Sequence, residues 1–80
     1  MPDTARGGLA EHYGRIAELD NAIIDLVRER TRLLAGLQEH RRALRLPQVD
    51  LARENEMLLR YSRALGRQGA DLALLLLDPR

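Results

Sequence analysis

The chain has 80 residues, which is enough for one small domain, and it has no cysteine that could form a stabilising disulfide. A lone domain of this size buries only about 60% of its unfolded surface, so association with a second copy is the expected way to enlarge its core. The net charge is +1 and all 13 basic residues are arginine, a near balance that argues against a nucleic-acid-binding protein.

The sequence also argues against membrane insertion and secretion. No apolar run approaches the ~18 residues of a membrane span, and the first residues, MPDTARGG, lack the apolar segment of a signal peptide. A cytoplasmic protein is therefore expected. His12 and His40 are the only histidines, too few for a zinc site built by the protein alone.

The first predicted element is a long helix. Residues 1–8 are polar, end in two glycines and are read as a flexible tail, followed by a helical domain over residues 9–80. From about Leu9 to Arg45, apolar residues recur every three or four positions, which predicts an amphipathic helix about 50 Å long. The rest of the chain is too short to cover such a helix, so the same helix of a second copy is the expected partner.

Two shorter helices are predicted after a break at residues 46–49, where Pro47 interrupts the helical pattern. One spans about residues 51–67 and is ended by Gly66 and Gly69. The other spans about residues 70–77 and is almost wholly apolar, and its Leu and Ala residues favour helix over strand. The predicted fold class is thus all-α, with one long and two shorter helices. The second helix has this apolar stripe: Met57, Leu58, Tyr61 and Leu65.

Arg30 is an anomaly, because it falls within the apolar stripe of the long helix. A buried arginine is expensive unless its charge is met. Arg41 follows eleven residues later on nearly the same face, about 16 Å along the axis, so the two guanidinium groups could hold an anion between them. The alternative is that Arg30 pairs with a carboxylate such as Asp25 or Glu29, and that Arg41 is merely solvated.

The stretch LPQVDLARENE, residues 46–56, combines a turn with a helix start. Asp50 is placed to cap the second helix. Arg53 and Glu54 lie one turn further on, on the same side as Asp50. These residues form either a solvated surface or one wall of a site for a small polar ligand.

Taken together, these features resemble the all-helical, AroQ-class chorismate mutases, from about Tyr13 to Leu77. The family's opening pattern, R-x-x-I-x-x-L-D and an apolar helix ending in E-R, reads here YGRIAELD and NAIIDLVRER. The family pattern continues with a basic residue eleven positions later, here Arg41, and with a loop that contains proline, here Pro47. It then has D-x-x-R-E, which reads here DLARE. The tail RYSRALGRQGADLALLLL is similar to the short actinobacterial subclass.

The resemblance implies an intertwined homodimer of the chorismate mutase II type that rearranges chorismate to prephenate without a metal or cofactor. Arg30 and Arg53 would bind carboxylates of the substrate. Arg41 would bind the ether oxygen and a carboxylate. Glu54, helped by Asp50, would hold the ring hydroxyl.

Tyr13 departs from the family pattern, since it stands where the family has an arginine that is lent to the neighbouring copy's site. Arg15 is a poor substitute, because it faces about 200° away on the helix. Larger members also carry a Gln or Glu on a longer last helix. Members of the short subclass are weak alone and are activated by docking onto 3-deoxy-D-arabino-heptulosonate 7-phosphate synthase, so this enzyme is an expected partner.

Two alternatives remain open from the sequence. The chain could be a mutase for an amino-substituted substrate such as 4-amino-4-deoxychorismate, with Glu54 facing the amino group. It could also be a non-catalytic helical dimer that binds or regulates a partner enzyme. The loss of the arginine at Tyr13 favours the second alternative, whereas the retention of five polar site residues argues against it: Arg30, Arg41, Asp50, Arg53 and Glu54.

Overall fold

The regular structure of the chain is helical throughout the residues that a computed structural model describes, which are 2–77 for the backbone and 7–77 for the side chains. Three helices follow one another: α1 (Pro2–Ala43), α2 (Leu51–Leu65) and α3 (Arg67–Leu77). The predicted all-α class with one long and two shorter helices is thus confirmed. The chain divides into two units, Met1–Gly36 and Leu37–Arg80.

Helix α1 begins earlier than predicted, at Pro2 rather than at about Leu9. Gly7 and Gly8 do not interrupt it, because a glycine inside a helix costs only about 1 kcal/mol relative to alanine. Pro2 fits the first helical position, where its missing N–H would have no intrahelical partner. The division into a tail and a domain stays a prediction.

Helix α1 ends at Ala43, two residues before the predicted Arg45. The N–H of Leu46 donates to the carbonyl of Arg41 (2.8 Å), and the N–H of Arg45 donates to that of Arg42 (3.1 Å). This pair of bonds is a Schellman motif, which requires a left-handed residue just after the helix. Arg45 takes that conformation, with φ of 56°.

Helix α2 has a defined residue at each end. Asp50 precedes it in an extended conformation and accepts a hydrogen bond from the backbone N–H of Arg53, as the sequence predicted for an N-cap. Gly66 ends it with φ of 70°, and its N–H donates to the carbonyl of Ser62 (2.7 Å). The helix therefore ends two residues before the predicted Arg67.

Helix α3 packs directly on α2, and this packing corrects the predicted role of Gly69. The sequence placed Gly69 at the end of the second helix, but it lies inside α3 and is buried. A Cβ atom at Gly69 would stand 2.6 Å from the carbonyl carbon of Tyr61 and would collide with the attached oxygen. Glycine is needed here so that the two backbones can approach each other.

The apolar core within residues 7–77 consists of only two buried side chains, Met57 and Ala73. The apolar stripe predicted for the long helix is exposed in the single chain. Apolar exposure on this scale is typical of interaction surfaces. The stripe residues are between 48% and 69% exposed: Ile16, Leu19, Ile23, Leu26, Leu33 and Leu37. Across residues 2–77, no helix combines the length and apolarity needed to cross a membrane.

Candidate functional site

Asp50 and Arg53 form the best-defined polar arrangement at the start of α2. Oδ1 of Asp50 accepts the backbone N–H of Arg53 (3.2 Å), and Oδ2 accepts Nε of the same residue (3.2 Å). The Asp50 side chain is 35% exposed, whereas that of Arg53 is 79% exposed. The carboxylate therefore orients the guanidinium group through Nε, although most of the Arg53 side chain stays exposed.

The charge of Asp50 is stabilised by its surroundings. Its pKa is lowered from the usual 3.8, chiefly because the carboxylate accepts the backbone N–H of Arg53. Partial desolvation opposes this shift, while the positive charges of Arg53 and Arg41 and the Arg53 side-chain hydrogen bond add to it. Asp50 is consequently ionised at neutral pH and accepts hydrogen bonds without donating one.

Arg41 lies in the last turn of α1 and is fixed by the connection to α2. Its Nε donates to the carbonyl of Pro47 (2.6 Å), while its own carbonyl accepts the N–H of Leu46. The side chain is half-buried, and its charge acts on Asp50. The loop thus holds a cation next to the N-terminus of α2.

Glu54 belongs to the same region. Its backbone N–H donates to the carbonyl of Asp50 (3.1 Å), which is the first intrahelical bond of α2. Its side chain is half-buried, unlike those of most neighbouring residues. The second unit therefore brings together four predicted site residues: Arg41, Asp50, Arg53 and Glu54.

The other two predicted site residues, Arg30 and Tyr13, lie in the first unit. Arg30 is half-buried, whereas residues 9–29 of the same helix are all exposed. Tyr13 is 67% exposed. Arg15, the nearby arginine, is committed to Glu18 through an ion pair of 3.0 Å.

Gln38 is a polar residue that the sequence reading missed. It lies on α1 one turn before Arg41 and is half-buried. Its Oε1 atom is enclosed and has no hydrogen-bond partner among the described residues. Its spacing could have indicated this position. Gln38 follows Leu34 by four residues and precedes Arg41 by three, so the three side chains share one face of the helix.

Comparisons of the chain with protein-family models, with curated proteins and with solved structures found no match. Within the described part of the chain, no group of three or more His, Asp or Glu side chains is placed to hold a metal ion. A function for the chain must therefore be argued from the chemistry of its own residues.

Two groups of the second unit suit recognition of a carboxylate on a small polar ligand. Guanidinium groups bind carboxylates with two parallel hydrogen bonds and stay charged when partly buried. Arg41 and Arg53 supply two such groups, oriented by Pro47 and Asp50. Glu54 adds an acceptor for a ligand hydroxyl or amine.

Proposed function

We propose that the chain is a chorismate mutase that acts as a homodimer and converts chorismate to prephenate in the shikimate pathway of aromatic amino acid biosynthesis. The observation that carries the proposal is the double use of Asp50, which caps α2 and bonds the Arg53 guanidinium while the charge of Arg41 also acts on its carboxylate. The resemblance to the AroQ-class enzymes places substrate-binding residues at these same positions.

Charge balance explains why the proposal also needs Arg30. Arg41 and Arg53 contribute two positive charges, and Asp50 and Glu54 contribute two negative ones, so the four groups together are neutral. Chorismate carries two carboxylates, which the neutral set would leave uncompensated, and one additional cation would offset one of these two charges. Helical spacing and the resemblance assign the additional cation to Arg30, which is half-buried.

The chemistry requires no more than such a set of groups. The rearrangement is a one-step pericyclic reaction, in which the ether C–O bond breaks as a C–C bond forms. Binding must hold the substrate in a compact shape, and Arg30 and Arg53 would do so through its carboxylates. Arg41 would stabilise the negative charge that develops on the ether oxygen. Glu54, with Asp50 behind it, would hold the ring hydroxyl.

The homodimer is supported by the exposed stripe of α1. Side chains such as Ile23 (57% exposed) and Leu26 (64% exposed) gain about 1–2 kcal/mol each when their remaining exposed area is buried. A second copy of α1 offers the same stripe and covers it symmetrically. In the proposal, docking onto 3-deoxy-D-arabino-heptulosonate 7-phosphate synthase raises a low activity of the dimer alone.

A second candidate function is favoured by Tyr13. This side chain is 67% exposed and stands where the family pattern has an arginine. A site that lacks this cation would suit a substrate with a compensating positive group, such as 4-amino-4-deoxychorismate, with Glu54 accepting from the amine. A dimer that only binds or regulates a partner enzyme would tolerate the same loss.

The decisive experiment follows the loss of chorismate absorbance with purified protein, alone and with the synthase added. Arg30→Ala is the test variant, and we expect it to lower kcat/KM by roughly 100-fold or more. Arg28→Ala is the matched control, because Arg28 is exposed and forms only a long, 3.8 Å ion pair with Asp25. We expect that control to behave like the unmodified protein.

The outcomes separate the candidates. Turnover that Arg30→Ala abolishes and Arg28→Ala leaves intact supports the mutase, and turnover that needs the synthase assigns it to the partner-activated kind. Turnover of 4-amino-4-deoxychorismate alone favours the amino-substituted substrate. An intact dimer that turns over neither compound with or without the synthase rules out the mutase and leaves the non-catalytic function.

A further inference from the structure

Gln38 carries an enclosed polar atom that no described residue satisfies. Its Oε1 is enclosed, yet it accepts no hydrogen bond from any described residue. Nearly all buried polar groups in folded proteins have a hydrogen-bond partner, because an unpaired one loses its hydration without gaining a hydrogen bond in return. An acceptor of this kind indicates a state of the protein in which a donor reaches it.

Two cationic side chains of α1 are close enough in sequence to supply that donor, since residues three and four apart are neighbours on a helix. Arg42, four residues on, is exposed and bonds Glu39 through Nη1 (3.5 Å). Arg41, three residues on, is half-buried, as Gln38 is. Arg41 is therefore the better candidate.

The present contact of Arg41 leaves it able to serve Gln38. Its Nε donates to the carbonyl of Pro47 at 2.6 Å. A guanidinium group has five N–H donors in a rigid plane, so it can bind a ligand with one edge and a protein acceptor with another. The orientation of that plane decides whether both bonds form.

We propose that Gln38 is a positioning residue for Arg41. When the Arg41 guanidinium donates a hydrogen bond to a substrate oxygen, it turns away from Pro47 and donates another N–H to Oε1 of Gln38. The acceptor that is unfilled in the free chain is then filled in the complex, and the arginine is held in the plane that the reacting oxygen needs. This inference rests on the proposed function, which assigns Arg41 to the ether oxygen.

The proposal predicts opposite effects of one substitution on folding and on turnover. Gln38→Met keeps the length of the side chain but removes the unfilled acceptor. We expect its urea unfolding midpoint to rise, because an enclosed polar atom is replaced by an apolar one. We expect its kcat for chorismate to fall about tenfold with a smaller change in KM, because Arg41 acts on the breaking bond.

Two further variants complete the experiment. Gln38→Glu retains an acceptor at the same place, so it should keep most of the turnover that Gln38→Met loses. Gln68→Met makes the same chemical change at an exposed position on α3, and it should alter neither property. If both Gln38 variants keep wild-type kcat, Gln38 does not position Arg41.

A spectroscopic readout separates this inference from the proposed function. The Arg41 Nε–Hε signal, assigned with Arg41→Lys, is followed during a titration with chorismate. We expect the signal to shift in the wild-type protein, and to shift less or broaden in Gln38→Met. A wild-type protein that neither turns over chorismate nor shifts this signal overturns the proposed function, and the role of Gln38 with it. A shift that is identical in Gln38→Met overturns the inference alone.

Discussion

The Asp50 carboxylate bonds Arg53 twice, once through the backbone N–H (to Oδ1) and once through the side-chain Nε (to Oδ2), each at 3.2 Å. The first bond caps the N-terminus of α2, and the second orients a guanidinium group of the candidate site. Folding of α2 and preparation of the site therefore depend on the same ionised group.

The first prediction concerns pH. The pKa of Asp50 in the folded chain is lowered below the usual 3.8. The contribution of this group to the free energy of unfolding is therefore complete above about pH 4–5, and it is lost as the pH falls through the folded-state pKa. We expect the urea unfolding midpoint to fall over this acidic range, as measured by circular dichroism at 222 nm.

Asp50→Asn tests the assignment, because asparagine also caps helices but does not titrate. The difference in midpoint between the wild type and this variant should be largest at neutral pH and shrink toward pH 3. Asp71→Asn is the matched control, since Asp71 is an exposed aspartate on α3. A difference between wild type and Asp50→Asn that is the same at pH 3 and pH 7 would contradict the prediction.

The second prediction concerns the end of α1, where Arg45 has φ of 56°. A side chain in this left-handed region costs roughly 1–2 kcal/mol, and glycine is free of that cost. Arg45→Gly should therefore raise the free energy of unfolding by about 1 kcal/mol, as measured by urea denaturation. Arg45→Ala removes the same charge but keeps the Cβ atom, so it should give little change. Equal effects of the two variants would point to charge rather than backbone conformation.

The sequence was sufficient to predict the three helices and the start of α2. Apolar spacing and Pro47 located the elements, and Asp50 was recognised as an N-cap because its side-chain chemistry is specific to that position. The end of α1 was harder to predict from the sequence. Its Schellman motif places an arginine where glycine is usual, so no residue type marked Ala43 as the last helical residue.

Gly69 and Gln38 show what a linear pattern leaves out. Glycine reads as a helix end in sequence, but at Gly69 it permits close contact between two helices, which depends on the tertiary position of Tyr61. Gln38 reads as a polar residue of a helix surface, but its Oε1 is enclosed. Both are properties of packing, which periodicity along one helix does not specify.

The third prediction tests the contact between α2 and α3. A Cβ atom at Gly69 would collide with the backbone of Tyr61 and lie 2.9 Å from the Cβ of Leu65. Gly69→Ala should therefore lower the free energy of unfolding by about 1–3 kcal/mol, because the helices must separate. Gly36→Ala is the matched control. A Cβ there meets nothing within 4 Å, so it should raise the free energy by about 0.5–1 kcal/mol.

Urea denaturation of both variants measures these changes. Helix propensity favours alanine over glycine at each position, so opposite signs would come from the contacts of the new Cβ with Tyr61 and Leu65. Stabilisation by both substitutions would show that α2 and α3 are not in close contact at Gly69.

The fourth prediction concerns association through α1. Ile23 is 57% exposed in the single chain, and in the proposed homodimer each copy buries one such side chain. Placing a carboxylate there forfeits about 1–2 kcal/mol of apolar burial per copy and adds the cost of burying a charge. Ile23→Glu should therefore weaken the dimer by roughly a hundredfold or more, as measured by sedimentation equilibrium over a range of protein concentrations.

Asn21→Glu adds the same charge at an exposed polar position of the same helix, and it should leave association unchanged. Dissociation by both variants would show a general effect of charge, whereas dissociation by neither would show that the stripe is not the surface through which two copies meet.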